Sequence, residues 1–142
     1  KKNKIVSSNV ISGGLSSWKF SIFKKISFDI KNKFHTIEDF EFCYRFNKIY
    51  NNSLFIISNA KLEHYFSPVS RDSEIKIIER KIFEFLIFYK KNKMEKNSLL
   101  PTFILLLANF ITCISKTLIR LNLNYIKSYF RGLYKAINYI PK

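Results

Sequence analysis

The amino-acid sequence predicts an α/β fold in the first half of the chain, followed by helices in the second half. Two short β-prone runs, at residues 5–11 and 54–58, flank segments whose apolar residues recur at helical spacing. From residue 74 onward the apolar spacing is helical, and residues 97–115 carry no charge. We therefore predict an α/β region over residues 1–72 and a helical region over residues 73–142.

The composition points to an acidic partner. The 142 residues carry a formal net charge of +15 and a 17% aromatic content. Such a charge suits nucleic acid, anionic lipid headgroups or a phosphorylated substrate. Cys43 and Cys113 lack CxxC spacing, which argues against a structural zinc site and a disulfide framework. The sequence begins with Lys rather than Met, so we expect a piece of a longer protein, and its start does not resemble a secretory signal.

The first β-prone run ends at Ser12-Gly13-Gly14, the only glycine pair in the chain. The backbone there needs either a positive φ or the close approach of another group. As a phosphate-binding motif it is weak, because further glycines and a Lys-Ser or Lys-Thr pair are missing, and a plain tight turn is the default interpretation. Residues 17–26 then predict a short amphipathic helix that contains Trp18, with Ser16 or Ser17 as its N-cap.

The segment Ile-Glu-Asp-Phe-Glu-Phe-Cys-Tyr-Arg at residues 37–45 carries the candidate chemistry. It predicts a short helix that opens with two adjacent carboxylates, Glu38 and Asp39. Glu41 and Arg45 are four residues apart and are able to form an ion pair. The face predicted to pack inward consists of Ile37, Phe40, Cys43 and Tyr44.

Asp39 lies outside both groups on the helical wheel. It points toward the sector of Phe42 and Phe46, and no basic residue stands at helical spacing from it. A carboxylate in such a setting suits a general base. The alternative is that acids simply favour the first turn of a helix, and the residues alone leave both interpretations open.

The end of the α/β region predicts extended structure. Asn51-Asn52-Ser53 predicts a turn, residues 54–58 a compact buried strand, and residues 60–65 a second strand or an extended exit. This last segment contains His64, one of two histidines in the chain. A lone histidine is more often a hydrogen-bonded structural residue than a ligand, so both roles stay open here.

Four of these features follow one another in an order that resembles the second half of a family-2 glycosyltransferase catalytic domain. They are the Ser12-Gly13-Gly14 bend, the Phe28-Asp29 pair after a helix, the block from Glu38 to Arg45, and the segment from Ala60 to His64. The family pattern is a Gly-containing strand end, a helix, Phe-Asp, Glu-Asp-x-Asp-Leu-x-x-Arg and Ala-x-x-x-His. The resemblance covers residues 10–71 and implies an incomplete GT-A (Rossmann-like) domain, its acceptor-side half, from an inverting enzyme.

The resemblance implies a role for each matching residue. Asp39 would deprotonate the acceptor hydroxyl that attacks the sugar's anomeric carbon, and Glu38 would orient the acceptor or Asp39. His64 would be a candidate metal ligand. The implied substrate-binding residues are Ser12, Gly13, Gly14 and Arg45, and Arg45 would also hold the helix through its ion pair.

The sequence departs from the family pattern at three places. Thr36-Ile37 stands where Gly usually precedes Glu-Asp, and Glu41-Phe42 replaces the usual Asp-Leu. Trp18-Lys19-Phe20 occupies the place where the family tends to carry an Arg pair. The adjacent carboxylates Glu38 and Asp39 are retained.

The resemblance also implies a divalent metal, Mg²⁺ or Mn²⁺, and a nucleotide-sugar donor. In the family an Asp-x-Asp motif holds the metal that neutralises the diphosphate leaving group, and this sequence contains no Asp-x-Asp. We expect the metal to be held mainly by an N-terminal half outside this chain, and the chain alone to be inactive. The acceptor would be a glycan or a lipid-linked molecule, as in the synthesis of cell-surface polysaccharides.

The helical region predicts membrane association. Residues 74–90 predict an amphipathic helix, while residues 97–115 are just long enough to span about 30 Å of hydrocarbon. Spanning, insertion at the interface and burial in a core all fit this second segment.

Residues 116–140 predict one helix with a cationic stripe opposite an apolar and aromatic face. The stripe is formed by Lys116, Arg120, Lys127, Arg131 and Lys135, and the apolar face by Ile119, Ile126, Phe130, Leu133, Ile137 and Ile140. This pattern favours binding to anionic lipid on the cytoplasmic face of the cell membrane, and an ordinary surface helix is the alternative.

Two other functions fit the composition: a non-catalytic basic protein of the membrane surface and a nucleic-acid-binding protein. Against the second, the cations of the first half are dispersed, and no helix-turn-helix, zinc-finger or RNP-type pattern is present. We therefore expect no nucleic-acid partner.

Overall fold

The structure is a computed structural model that describes residues 4–32, 34–61, 63, 72–92 and 99–141. The chain forms two compact units, Lys1–Pro68 and Val69–Lys142, which are described separately as the first and second unit.

The first unit combines a two-stranded ribbon with helices. Strand β1 spans Ile5–Ser7, helix α1 Phe20–Phe23, helix α2 Glu38–Ile49 and strand β2 Phe55–Ile57. A 3₁₀ turn at Gly13–Leu15 lies between β1 and α1. The strands are antiparallel, with Ile5 opposite Ile57, Val6 opposite Ile56 and Ser7 opposite Phe55.

The core of the first unit is built on the aromatic face of α2. Phe42 and Phe46 are buried there, together with Leu54 and Ile26. The Trp18 ring meets both phenylalanines edge-on, with centroid distances of 4.9 Å to Phe42 and 5.2 Å to Phe46. These contacts fix α2 against the segment that precedes it, because edge-to-face ring pairs add to the burial of apolar area.

The predicted α/β fold, an incomplete GT-A (Rossmann-like) domain, is wrong. The described residues are mostly helical, and their only sheet is the β1–β2 ribbon. A Rossmann-like sheet needs several parallel strands with helices on both faces, whereas β2 pairs antiparallel to β1. Residues 54–58 read as a buried strand because they are all apolar up to Ser58, yet only Leu54 is buried and Phe55–Ile57 are exposed.

The predicted inward face of α2 is partly wrong. Ile37 and Cys43 are buried, but Phe40 is 38% exposed and Tyr44 is half-buried. The buried face is centred on Phe42 and Phe46 instead. These two rings face inward because the ring of Trp18 packs against that side of the helix.

The helix predicted over residues 17–26 is shorter than expected. Helix α1 begins after Lys19, and no side chain caps it. The Ser16 hydroxyl accepts a hydrogen bond from Trp18 Nε1 at 2.9 Å and donates one to the Gly13 carbonyl at 3.1 Å. Those two bonds hold residues 13–18 as a loop, since they commit the predicted capping hydroxyl elsewhere.

The second unit consists of three helices. Helix α3 spans Glu74–Lys91, α4 Leu99–Arg120 and α5 Asn124–Ile137. The amphipathic helix predicted over residues 74–90 is confirmed, and the Ser73 hydroxyl caps it by accepting a bond from the Lys76 amide at 3.4 Å.

Helices α3 and α5 run in the same direction, and α4 runs against them. Near the starts of α3 and α5, Glu74 accepts a bond from the Tyr125 hydroxyl at 2.9 Å. Near their ends, Lys90 donates to the Ala136 carbonyl at 2.5 Å. The C-terminal part of α4 lies beside the start of α3, where Lys116 pairs with Glu74.

The single helix predicted over residues 116–140 is wrong, because the chain bends at residues 121–123. Leu121 has a φ of 48°, and the Asn122 side chain accepts a bond from the Asn124 amide at 2.9 Å. A local side-chain bond of this kind competes with the helical ladder. Helix α5 then packs through a face of small residues and tyrosines, and its buried residues are Tyr125, Ser128, Tyr129, Gly132 and Ala136.

Gly132 lets α5 approach α3 closely. A Cβ at this position would lie 2.6 Å from the Glu79 carbonyl oxygen and 2.9 Å from Ile82 Cβ. The first of these atoms belongs to the backbone and cannot move aside. The glycine is therefore required by packing, not by an unusual backbone conformation.

We expect Gly132→Ala to lower the free energy of unfolding by about 1–3 kcal/mol through overpacking. This sign is opposite to the usual preference for Ala over Gly inside a helix, which amounts to about 1 kcal/mol. Urea unfolding of the 142-residue chain followed by circular dichroism measures the change, and a more stable variant would contradict the close packing of α3 on α5.

Glu74 joins the three helices of the second unit. Its carboxylate pairs with Lys116 on α4 and accepts the hydroxyl bond of Tyr125 on α5. The hydrogen bond from Lys116, followed by that from Tyr125, lowers the pKa of Glu74 below its ordinary value. The same bond to Glu74 raises the pKa of Tyr125.

Glu74 should make the free energy of unfolding of the second unit fall as the pH becomes acidic. A lowered folded-state pKa contributes stability that is complete above the unfolded-state value, about 4.3, and is lost as pH falls through the folded-state value. Between neutral pH and strong acid, the wild-type chain should therefore lose more unfolding free energy than Glu74→Gln. If the unfolding free energies of the two proteins change equally with pH, the Glu74 carboxylate does not stabilise the folded second unit.

Candidate functional site

The structure brings Asp39 and the paired-glycine bend together. The Gly13 amide donates a hydrogen bond to Asp39 Oδ2 at 2.7 Å. A Cβ on Gly13 would lie 2.2 Å from Asp39 Oδ1 and 2.9 Å from its Cγ. None of the described glycines has a positive φ. Of the two reasons for a glycine here, close approach of another group is therefore the correct one, and that group is the candidate base.

Hydrogen bonds continue from this contact into the loop. The Gly13 carbonyl accepts from the Ser16 hydroxyl at 3.1 Å, and that hydroxyl accepts from the Trp18 indole N–H at 2.9 Å. The Asp39 carboxylate is thus linked through two backbone groups of Gly13 and one hydroxyl to an aromatic ring of the core. Sequence reasoning assigned Ser16 only a capping role, because the spacing 13–16–18 matches no secondary structure.

A cavity of about 470 Å³ lies beside this loop. Its lining includes Trp18, Ser17, Lys19 and Tyr50, and Asp39 is not part of it. Apolar and aromatic walls with a few polar groups are typical of ligand sites. The sequence offered one signal for this cavity, the single Trp next to serines, but helical spacing assigned that ring to the core.

Glu38 has different surroundings from Asp39. It lines a separate cavity of about 270 Å³ together with Phe28, Asp29 and His35. Successive helical residues point about 100° apart, and Asp39 does not line this cavity. A role of Glu38 in orienting the acceptor or Asp39 stays a prediction. His35 was not singled out from the sequence, because nothing in its spacing connects it to Glu38.

Arg45 and Glu41 form the predicted ion pair, which is confirmed. Arg45 Nε donates to Glu41 Oε1 at 2.8 Å, and Nη2 donates to Oε2 at 2.7 Å. Nη2 also donates to the Ser27 carbonyl at 2.7 Å. Glu41 is only 1% exposed, so the bidentate pair satisfies a buried charge and ties α2 to the chain before it. A role of Arg45 in substrate binding stays a prediction.

The remaining predicted site residues differ in accessibility. Ser12 and Gly14 are exposed on either side of Gly13, and the Ser12 carbonyl accepts from the Leu15 amide at 3.2 Å. His64 lies outside the described residues, as do residues 62 and 65 of the segment predicted over residues 60–65.

The described residues do not fit a metal centre. Within residues 4–32, 34–61, 63, 72–92 and 99–141, no three carboxylate, imidazole or thiol side chains converge on one point. A divalent metal held by protein usually needs two or more such oxygen or nitrogen ligands.

Cys43 is a structural thiol. Its Sγ lies 3.7 Å from the Ile11 carbonyl and donates to it. Burial raises the pKa of the Cys43 thiol, and the charge of Asp39 adds to the rise. A buried thiol in its neutral form is a poor nucleophile, which fits a structural role for Cys43.

Comparison of the chain with protein-family profiles, curated proteins and solved structures found no match. Its function must therefore be argued from its own residues. In the described part of the first unit, the contact between Asp39 and Gly13 is the arrangement that best supports a chemical role.

A double-mutant cycle tests whether that contact holds the carboxylate. Gly13→Ala should rotate the Asp39 side chain away and break the 2.7 Å bond, and Asp39→Ala removes the same bond. Each variant should lower the free energy of unfolding by about 0.5–1.5 kcal/mol. The double variant should be no less stable than the worse single variant, because both changes delete one contact. Additive losses would contradict the contact.

Proposed function

We propose that this chain supplies the catalytic base and the acceptor side of an inverting glycosyltransferase that uses a nucleotide-diphosphate sugar. The observation that carries the proposal is the hydrogen bond between the Gly13 amide and the Asp39 carboxylate. The order of the sequence motifs over residues 10–71 supports it independently. The correction of the fold class does not affect this order, since motif order is a property of the sequence.

Asp39 is suited to accept a proton at one defined oxygen. Oδ2 is engaged by the Gly13 amide, and we assign proton transfer to Oδ1. Among the described residues Asp39 forms no ion pair, so a cation does not compete for the carboxylate. A fixed carboxylate keeps its free oxygen at one position, which is the geometric requirement for general-base catalysis.

The reaction proceeds as a single displacement. The acceptor hydroxyl gives its proton to Asp39 as its oxygen bonds to the anomeric carbon of the donor sugar. The bond between that carbon and the diphosphate oxygen breaks at the same time, and the electron pair leaves with the diphosphate. Because attack and departure occur on opposite faces of the carbon, the configuration inverts. A positioned general base contributes about 10²–10⁴-fold to such a rate.

The acceptor side is formed by the loop that Asp39 holds. Ser12 and Gly14 are exposed next to the carboxylate. Trp18, further along the same loop, lines the 470 Å³ cavity. We assign Ser12 and Gly14 to contact with the substrates at their exposed backbone. The ring of Trp18 would provide apolar area for one face of a sugar, with Ser17 and Lys19 offering polar groups nearby.

A divalent metal, when bound, would stabilise the negative charge on the leaving diphosphate. The described residues offer no site for it, and the chain has no Asp-x-Asp motif. In this proposal Mg²⁺ or Mn²⁺ is held by residues other than those described. A glycan or lipid-linked acceptor and a place on the cytoplasmic face of the cell membrane complete the proposal.

The test is sugar transfer by the full-length product of the gene, assayed with a panel of nucleotide sugars. Asp39→Asn should lower kcat by about 10²–10⁴-fold, because the amide cannot accept the proton. Gly13→Ala should lower kcat in the same direction by displacing the carboxylate.

Asp72→Asn is the matched control, since it makes the same chemical change at an acid that pairs with Arg80 in the second unit. It should leave kcat unchanged. Circular dichroism and thermal unfolding establish that each variant folds. Full activity in a folded Asp39→Asn variant would refute the assignment of the base.

A further inference from the structure

Helix α4 presents a long apolar face that the second unit does not cover. It is the one helix in the described residues that is long and apolar enough to cross a membrane, and only 11% of its most apolar window is buried. Its large apolar residues with 45% or more of their surface exposed are Leu99, Leu100, Phe103, Ile104, Leu107, Ile111, Leu118 and Ile119. A contiguous face of this kind marks an interaction surface.

The opposite face of α4 packs on α3 and α5 between Leu106 and Lys116. Leu106 accepts a bond from the Tyr129 hydroxyl at 3.1 Å, Cys113 packs with Ile82 of α3, and Lys116 pairs with Glu74. Helix α3 carries eight charged side chains between Glu74 and Lys91, at positions 74, 76, 79, 80, 81, 84, 90 and 91.

This packing argues against a simple membrane span. If α4 crossed a bilayer with α3 beside it, those charges would enter the hydrocarbon layer at about 2.5–3.5 kcal/mol for each charge near the centre. Helix α4 therefore meets a membrane with one face only, along its side.

The bend between α4 and α5 places a leucine in an unfavourable backbone conformation and exposes its side chain. Leu121 has a φ of 48°, a conformation that Gly or Asn adopts readily and Leu does not. Its side chain is also 92% exposed. Its neighbours Leu118, Ile119 and Leu123 are between 64% and 81% exposed, so four aliphatic side chains project from one bend. Strain and exposure at the same residue indicate a surface that is covered in function.

The positive charges around this surface favour an anionic partner. No acidic residue follows Glu95, and Arg120 lies beside Leu121 in the bend. On α5 the exposed residues alternate between cations and aromatic rings, as Lys127, Phe130, Arg131 and Tyr134. Phe130 contacts Phe110 of α4 with a centroid distance of 5.9 Å, which connects the two faces. Cations and rings beside an aliphatic surface complement an anionic lipid bilayer.

We propose that the second unit binds one leaflet of an anionic membrane without spanning it. The exposed face of α4 and the four aliphatic residues of the bend enter the acyl region, and Arg120, Lys127 and Arg131 contact the phosphates of the headgroups. The proposal does not depend on the glycosyltransferase function, because it concerns residues 99–137 and no residue of the Asp39 site.

The first experiment measures binding of the 142-residue chain to vesicles by co-sedimentation. The chain should bind vesicles of phosphatidylglycerol and phosphatidylcholine more tightly than vesicles of phosphatidylcholine alone, and added salt should weaken binding. Leu121→Asn should weaken binding to the mixed vesicles by roughly tenfold, because one inserted Leu side chain is lost. The same substitution should preserve or raise thermal stability, since Asn tolerates the positive φ.

The controls separate insertion from other effects. Ile30→Asn makes the same kind of change at a residue of the first unit that is 82% exposed, and it should leave binding unchanged. Ile119→Asn, on the final turn of α4, is a second insertion variant and should weaken binding like Leu121→Asn. Unchanged binding for folded forms of both variants would overturn the proposal.

Two further outcomes would also overturn it. If the chain is a dimer in lipid-free solution by light scattering, and Leu121→Asn makes it monomeric, a second copy covers this face. If a membrane-impermeant maleimide added outside the vesicles labels Leu99→Cys but reaches Asn124→Cys, next to the bend at the far end of α4, only after the vesicles are lysed, α4 spans the bilayer. Labelling of both positions from outside supports binding to one leaflet.

Discussion

The structure of the first unit depends on the close contact between a backbone amide and a carboxylate. The Gly13 amide holds Asp39 at 2.7 Å, and Asp39 in turn holds the start of α2 against the loop that follows β1. This loop carries Trp18 into contact with Phe42 and Phe46, which form the core. A Cβ at position 13 would displace the Asp39 carboxylate and break this link, so the candidate base and the loop that carries Trp18 share one constraint.

Local features of the sequence predicted helices α2 and α3 and one ion pair. The start of α2 at Glu38 follows from its two acids, the Glu41–Arg45 pair from the spacing of four, and α3 from its apolar period. The contact between Asp39 and Gly13 joins residues 26 positions apart, and no local rule gives such a distance. The sequence could mark Gly13 as part of a glycine pair and Asp39 as an acid without a basic partner, but it could not show that the two residues are in contact.

The predictions for residues 54–58 and 116–140 were wrong for two physical reasons. Apolar residues at 54–58 suggested a buried strand, because hydrophobicity does not reveal whether a second layer covers it. Helical periodicity over residues 116–140 suggested one helix, because the wheel takes no account of the Asn122 side chain that bends the chain. The same wheel gave no sign that Gly132 allows the backbone of α5 to approach α3, so that the buried face holds small residues and tyrosines while Phe130 and Ile137 are exposed.

The β1–β2 ribbon has a practical consequence for the protein in solution. Ile5 and Val6 on one strand and Phe55–Ile57 on the other are all exposed, and no other described strand pairs with the outer edge of either. An edge of this kind can add a strand from another molecule, particularly when both of its faces are apolar. Concentrated samples should therefore tend to associate through this edge, and a lysine at position 6 would oppose that association.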